Sequence, residues 1–139
     1  MRKALVMTAV ALGSLTPLPA LAAQGDGVDA LDRLERGEWE LRERGAGGAV
    51  RRLCIGDPLQ LLQPRHPGQM CRRFVLEDAA DRVSVTYDCA HAGQGRTALR
   101  VETARLVQID SQGVSGGAPF AMMIEGRRVG ACGPTAMRR

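Results

Sequence analysis

Residues 71–89 read CRRFVLEDAADRVSVTYDC, and this stretch decides how the rest of the chain is interpreted. Two runs that contain β-branched and aromatic residues flank a polar segment at 78–82. Runs of that composition on either side of a polar turn are typical of two antiparallel strands. The sequence therefore predicts a β-hairpin whose turn is centred on Ala80.

The register of this hairpin follows from several pairs of residues that face each other at once. Val75 faces Val85 in the middle of the two strands. The remaining facing pairs are Arg72 with Asp88, Asp78 with Arg82, Arg73 with Tyr87, and Cys71 with Cys89. A slip of one residue would lose all of these pairings. Opposed residues have Cβ atoms slightly beyond disulfide spacing, so we expect a modest local twist to close a bond between Cys71 and Cys89.

The cysteines of the chain are Cys54, Cys71, Cys89 and Cys132. An even number of cysteines in a small exported chain is typical of disulfide bonds. Because the hairpin favours Cys71–Cys89, the second bond would join Cys54 to Cys132, although four cysteines allow three connectivities. The alternative is a zinc site, but zinc ligands usually come in close pairs and these cysteines are widely spaced.

Alternating apolar and charged residues predict another strand at residues 38–42. Trp39 and Leu41 share one face there, as in a half-buried strand. Further strands are predicted at residues 49–55, at 97–110 as one strand or two, and at 120–125, with turns or loops at 45–48, 63–69, 93–95 and 111–119. The expected helical elements are a short helix at 29–36 that Asp29 would cap, and a helical turn at 58–62 that follows Asp57.

Six or seven short strands with turn signals between them predict a mainly β fold. The expected architecture is an antiparallel meander that forms a curved sheet, a sandwich or a partly open barrel, with one or two short helices and two disulfides. A core with one Trp, one Tyr and two Phe is small. The disulfides, at about 2–4 kcal/mol each, would therefore supply a large part of the stability.

The N-terminal end has the three parts of a secretory signal peptide. Basic residues at 2–3 precede an apolar run from residue 4 to 15, and Ala20 and Ala22 fit a cleavage site after Ala22. A membrane anchor is the alternative, but a spanning helix needs roughly 20 apolar residues and this run is shorter. We expect a signal peptide at 1–22, a mature N-terminal segment with the short helix at 23–36, a disulfide-bonded β domain at 37–132 and a disordered tail at 133–139. The protein would then be periplasmic or extracellular.

The charge of the mature chain is small. The full chain carries a formal net charge of +4, and loss of the two basic residues at positions 2–3 leaves 17 − 15 = +2. So small a charge does not favour binding to nucleic acid or to an anionic membrane surface. No segment after the signal peptide is long and apolar enough to span a bilayer.

The order of several short motifs resembles a bacterial family of small exported proteins, described as domain of unknown function thirty-six seventeen. The matching features are the Gly-Glu-Trp-Glu run at 37–40, the spaced cysteines, and the Arg-Val-Gly-Ala-Cys ending at 128–132. The resemblance covers residues 36–132. The chain has Cys-Ile-Gly at 54–56 where many relatives have Cys-Val-Thr, and Gly-Ala-Cys at 130–132 where many end in Gly-Asp-Cys. The resemblance implies a periplasmic or secreted β domain and transfers no activity.

Candidate catalytic residues lack the partners that catalysis requires. Residues 113–117 fit the Gly-x-Ser-x-Gly string of serine hydrolases, but no histidine follows Ser115 and the segment is predicted to be a glycine-rich loop. His66 and His91 could act as bases or bind a metal. Both lie in predicted loops without a ligand at metal-binding spacing, so we expect surface histidines.

Charged residues on the strands are interpreted as solvated surface. Glu38 and Glu40 share a strand face, where paired carboxylates could act on a glycan, but arginines lie beside them and balance the charge. Arginine doublets at 51–52, 72–73 and 127–128 place one side chain on each face of a strand. An anion-binding patch of outward arginines is the alternative to ordinary ion pairing.

These observations favour a non-enzymatic exported module that binds an envelope protein or a small ligand, with no cofactor and no metal. The residues expected around a cavity or exposed apolar binding patch are Trp39, Phe120, Met122 and Met123, together with Arg128. One alternative is an envelope hydrolase built on Ser115 or a histidine. Another is a redox or metal protein that uses free thiols.

Overall fold

Seven antiparallel strands form one curved, unclosed sheet in the computed structural model, which describes residues 28–45 and 47–134. The strands are β1 (Gly37–Glu43), β2 (Val50–Ile55), β3 (Arg72–Asp78), β4 (Arg82–Asp88), β5 (Gly93–Thr103), β6 (Leu106–Ser115) and β7 (Ala118–Gly130). Their order across the sheet is β2-β1-β7-β6-β5-β4-β3. The predicted mainly β fold is thereby confirmed as a curved sheet. The predicted signal peptide at 1–22 and residues 135–139 of the predicted tail lie outside the described residues.

One face of the sheet carries the core, because alternate residues of each strand point to the same side. Its buried apolar side chains are Trp39, Leu41, Val83, Val85, Leu99, Val101, Val107, Ile109, Met122 and Ile124. Helix α1 (Asp29–Asp32) and the first 3-10 helix (Pro58–Leu62) pack against these residues through Leu31, Leu61 and Leu62. We call this side of the sheet the covered face and the opposite side the open face.

The N-terminal helix is shorter than the predicted 29–36. Asp29 does not cap it, because Val28 occupies that position and no side chain caps the helix. The backbone N–H of Glu35 donates instead to the carbonyl of Ala104, 2.9 Å away, in the turn between β5 and β6. The chain leaves the helix early because it bonds to the sheet. The prediction for Asp57 is confirmed, since its side chain accepts from Leu59 N at the start of the 3-10 helix.

The β3–β4 hairpin has the predicted register over its first half. Val75 pairs with Val85 and Arg72 pairs with Asp88. A β-bulge between Val75 and Glu77 then shifts the register by one, so that Asp78 pairs with Val83 and not with Arg82 as predicted. A bulge leaves one residue of its strand unpaired and bends the strand.

Two glycine-rich segments that were predicted to be loops are strand instead. Residues 93–95 begin β5, and residues 111–115 end β6, with Gly95 paired to Gly113. The turn is confined to Gly116 and Gly117, whose φ angles are +58° and +81°. Glycine is tolerated inside these strands because the ring of Tyr87 occupies the space that a Cβ at Gly95 would need.

Both predicted disulfides are confirmed. Cys71–Cys89 closes the open end of the β3–β4 hairpin, with the two Cα atoms 4.2 Å apart. Cys54–Cys132 joins β2 to the segment after β7, with the Cα atoms 5.4 Å apart. The four cysteines are therefore all oxidised, which fits an oxidising extracellular or periplasmic location. Within residues 28–45 and 47–134, no helix has the length and apolar character that crossing a membrane requires.

Candidate functional site

A cleft of about 650 Å³ lies on the open face of the sheet, across strands β3 to β6. Its volume falls in the range of roughly 300–1,000 Å³ that is typical of small-molecule sites. The side chains that line it and that the strand register places on the open face include Phe74, Thr86, Arg96, Gln112 and Val114. We call this depression the open-face cleft.

The strand register brings most of these residues into a single row. Phe74 pairs with Thr86, Thr86 with Arg96, and Arg96 with Gln112, each on the next strand of the sheet. Residues that face each other across antiparallel strands lie on the same face, with Cβ atoms about 4.5–5.5 Å apart. Arg96 therefore lies between two uncharged side chains that have hydrogen-bonding groups, with an aromatic ring at the end of the row.

The floor of the cleft contains exposed backbone. Gly95 and Gly113, which face each other in the next row, also line the cleft. A side chain at Gly95 would collide with Tyr87, because an added Cβ would lie 2.6 Å from the Tyr87 hydroxyl oxygen. The glycine thus makes room for a buried ring on the covered face.

Among the described residues, one carboxylate lines the cleft, and its negative charge is balanced by its own partners. Asp88 accepts a hydrogen bond from the backbone N–H of Ala90 at 2.9 Å and one from Arg72 at 3.3 Å. The Ala90 bond, and then the Arg72 bond, lower the pKa of Asp88 below its usual value. Asp88 is therefore ionised at neutral pH and occupied by its own partners.

A chain of buried polar side chains lies behind the cleft, on the covered face. His66 Nδ1 is 3.2 Å from the Tyr87 hydroxyl and His66 Nε2 is 3.0 Å from the Ala92 carbonyl oxygen. Because a carbonyl can only accept, Nε2–H donates to Ala92 in the neutral ring and Nδ1 accepts from Tyr87. Ser111 and Thr97, both buried, continue the chain with hydroxyl oxygens 2.8 Å apart.

The burial of His66 contradicts the prediction of a surface histidine. The amide of Gln63 donates to the carbonyls of His66 and Gln69, at 3.0 and 2.7 Å, and so folds loop 63–69 onto the covered face. His91, in the second 3-10 helix (Ala90–Ala92), is exposed as predicted.

The buried chain holds structure together and offers little to catalysis. Both His66 nitrogens are used by Tyr87 and Ala92, and no carboxylate bonds to the ring among the described residues. Burial raises the pKa of Tyr87, and a hydrogen bond with Ser111 opposes that rise. Ser115 lies at the end of β6, with no hydrogen bond to a histidine in the part of the chain that the structure describes.

The residues predicted around a binding patch do not form one surface. Trp39 is fully buried and Met122 lies on the covered face, whereas Met123 lies on the open face and is 54% exposed. Phe120 is half-buried and projects to the covered face like Met122, with its ring centroid 6.0 Å from that of His66, and it borders the open-face cleft from beneath. Arg128 donates through Nε to the carbonyl of Arg36 at 2.8 Å. Trp39 and Met122 are thus core residues, and only Phe120 belongs to the cleft.

The arginine doublets split between the two faces as predicted. On the open face, Arg72 pairs with Asp88 while its neighbour Arg73 donates to the Gln63 side chain at 3.3 Å. Glu40 accepts from two arginines, at 3.0 and 3.2 Å, and its pKa is lowered by them. Among the described residues, no group of three His, Cys, Asp or Glu side chains is arranged to hold a metal ion.

Sequence reasoning missed Phe74, Thr86, Arg96, Gln112 and Val114 as a group. They come from four strands, and only the full sheet register places them together. One signal for Arg96 was available in the sequence. The alternation of inward and outward residues from Thr97 to Val101 continues back to Arg96, which places Arg96 on the outward face of the strand. The two glycines that precede Arg96, at positions 93 and 95, predicted a turn instead of a strand there.

No family model, curated protein or solved structure matches this chain. The resemblance to domain of unknown function thirty-six seventeen therefore stays a prediction. The function has to be argued from the cleft itself.

Proposed function

We propose that this chain is an exported, non-enzymatic β module that binds a small ligand in the open-face cleft. The observation that carries the proposal is the cleft of about 650 Å³ in which apolar side chains flank a row of polar ones. Concave sites with that mixture are the usual form of small-molecule binding sites.

Binding is favoured over hydrolysis by where the reactive groups lie. The buried histidine and tyrosine are on the covered face, with both His66 nitrogens occupied. The cleft contains one carboxylate, Asp88, which is held by Arg72 and Ala90. Among the described residues that line the cleft, Asp88 is held by Arg72 and Ala90 and the Tyr87 hydroxyl is bonded to His66, so neither is free to act as a general base.

Export is supported by two independent features. The two disulfides fit an oxidising compartment. The first 22 residues have the composition of a signal peptide. We propose that the leader is removed and that the β domain works in the periplasm or outside the cell.

The test is a titration of the oxidised protein with Nile red, a neutral dye that fluoresces in apolar sites. We expect saturable binding that Gln112→Trp abolishes, because an indole at this position fills the cleft from its row of polar residues. Met123→Trp is the control, since Met123 is exposed on the same face outside the cleft. Absence of saturable binding, or equal binding by Gln112→Trp and the unaltered protein, would overturn the proposal.

A further inference from the structure

We propose that the ligand of the open-face cleft is a small organic anion with an apolar body, held by Arg96. This inference rests on the proposed function and adds the chemical class of the ligand. It depends on three observations: the pairing of arginines on the open face, the neighbours of Arg96, and the apolar walls of the cleft.

Arg96 differs from the other strand arginines of the open face. Those that lie within 4.0 Å of a carboxylate are Arg42, Arg52, Arg72, Arg82, Arg100 and Arg127. Among the described residues, Arg96 is the one strand arginine of the open face that has no carboxylate within that distance. Its guanidinium is exposed in a concave site, where a ligand can supply the missing negative charge.

The neighbours of Arg96 suit a planar anion. A guanidinium presents its donors in a flat fork that matches a carboxylate with two parallel hydrogen bonds. Thr86 and Gln112, on either side of Arg96, carry a hydroxyl and an amide that also donate. The row is therefore rich in donors, and it contains no negative charge that would repel an anion.

Asp88 does not compete for Arg96. It is bound by Arg72 and by the Ala90 N–H, and these contacts lower its pKa. Arg72 and Asp88 balance each other's charge. The positive charge of Arg96 therefore has no counter-charge among the described residues that line the cleft.

The apolar part of the ligand follows from the walls. Phe74 is 56% exposed and Val114 is 37% exposed, and both line the cleft from the open face. Contact with an apolar ligand would remove these side chains from water, which favours binding. A ligand that carried only a charge would leave this apolar surface exposed to water.

A second depression on the open face shows the contrast. It encloses about 260 Å³ and is also lined by arginines, but each has a carboxylate partner. The pairs are Arg44 with Glu125 at 3.4 Å, Arg82 with Glu77 at 3.5 Å, and Arg100 with Glu102 at 2.8 Å. Of these two depressions, only the larger contains an arginine that has no carboxylate within 4.0 Å among the described residues.

The experiment compares three ligands that share one apolar body: 4-phenylbutyrate, 4-phenylbutanol and 4-phenylbutylammonium. Isothermal titration calorimetry on the oxidised protein should give the tightest binding for the acid, about tenfold tighter than the alcohol, and the weakest for the ammonium. Arg96→Gln should reduce the acid to the affinity of the alcohol and leave the alcohol unchanged. Arg96→Lys should retain part of the preference, because it keeps the charge and loses the fork.

Two further variants separate the charge from the apolar wall. Phe74→Ala should weaken all three ligands by a similar factor. Arg100→Gln is the matched control on the same strand and face, and it should leave the acid's advantage intact because Arg100 is paired with Glu102.

The outcomes distinguish this inference from the function on which it rests. Equal binding of acid and alcohol, or an acid preference that survives Arg96→Gln, would show that the charge assignment is wrong while the binding function stands. Absence of binding by all three ligands would overturn both.

Discussion

At the scale of single residues, Gly95 decides how the covered face packs. Its missing side chain makes room for Tyr87 there, while its backbone lines the cleft on the open face. Glycine is disfavoured in strands in general, so the sequence predicted a turn here. The reason for a glycine within β5 lies in Tyr87, on another strand, and no local pattern could reveal it.

We predict that Gly95→Ala destabilises the protein by about 1–3 kcal/mol. The added Cβ would meet the Tyr87 hydroxyl at 2.6 Å and the Gln112 carbonyl oxygen at 2.9 Å, and the latter is backbone that cannot move aside. Chemical denaturation measures the loss. Gly130→Ala is the control, because an added Cβ there meets nothing within 4 Å. Equal stability of the two variants would contradict the steric account.

The ionisation of Tyr87 gives a second prediction. Burial raises its pKa above the ordinary value of 10.0, so the folded protein holds the phenolic proton more tightly than the unfolded chain does. This contribution to stability is fully present below about pH 10 and is lost as the pH rises through the folded-state pKa.

Absorbance of the phenolate tests this directly, because the chain has one tyrosine. The folded protein should titrate at higher pH than the same chain unfolded in urea. Ser111→Ala should move the folded curve further up, since the hydrogen bond with Ser111 lowers the pKa. Coincident curves for the folded and unfolded chain would refute the prediction.

At the scale of elements, the β3–β4 hairpin shows what a local pattern can and cannot predict. The pairs from Arg72–Asp88 to Val75–Val85 were predictable because both strands and the turn are close in sequence. The bulge after Val75 was not predictable, because the sequence of this regular run does not mark Leu76 as the residue that stays unpaired. Bulges and charged residues protect a sheet edge from pairing with other chains, and β3 is such an edge.

The prediction for the loop at 63–69 was incomplete for a different reason. Its composition correctly predicted a loop, but not that His66 would be buried against Tyr87, 21 positions away. Local sequence also could not predict that Arg96 has no carboxylate partner among the described residues, because this depends on where each carboxylate of the open face lies. Local periodicity thus predicted most strands, whereas the cleft depends on contacts between distant strands.

At the scale of the whole molecule, the two disulfides constrain the chain very differently. Cys71–Cys89 spans 18 positions within one hairpin, whereas Cys54–Cys132 spans 78. Strand β1 lies between β2 and β7, so the longer link joins the edge strand β2 to the segment that follows a strand two places away in the sheet.

We therefore predict unequal losses when each disulfide is removed by a pair of Cys→Ala substitutions. Loop-closure entropy gives about 4.5 kcal/mol for Cys54–Cys132 and about 3 kcal/mol for Cys71–Cys89. Urea unfolding of the two double variants measures the difference. Equal losses, or a larger loss for the hairpin bond, would contradict this prediction.

The position of Tyr87 has a practical consequence. The chain's sole phenol chromophore lies a single backbone layer below the proposed ligand site, against a residue with no side chain of its own. We expect binding there to change the polarity and asymmetry around that ring, so the near-ultraviolet circular dichroism of tyrosine would serve as an intrinsic, label-free reporter of loading.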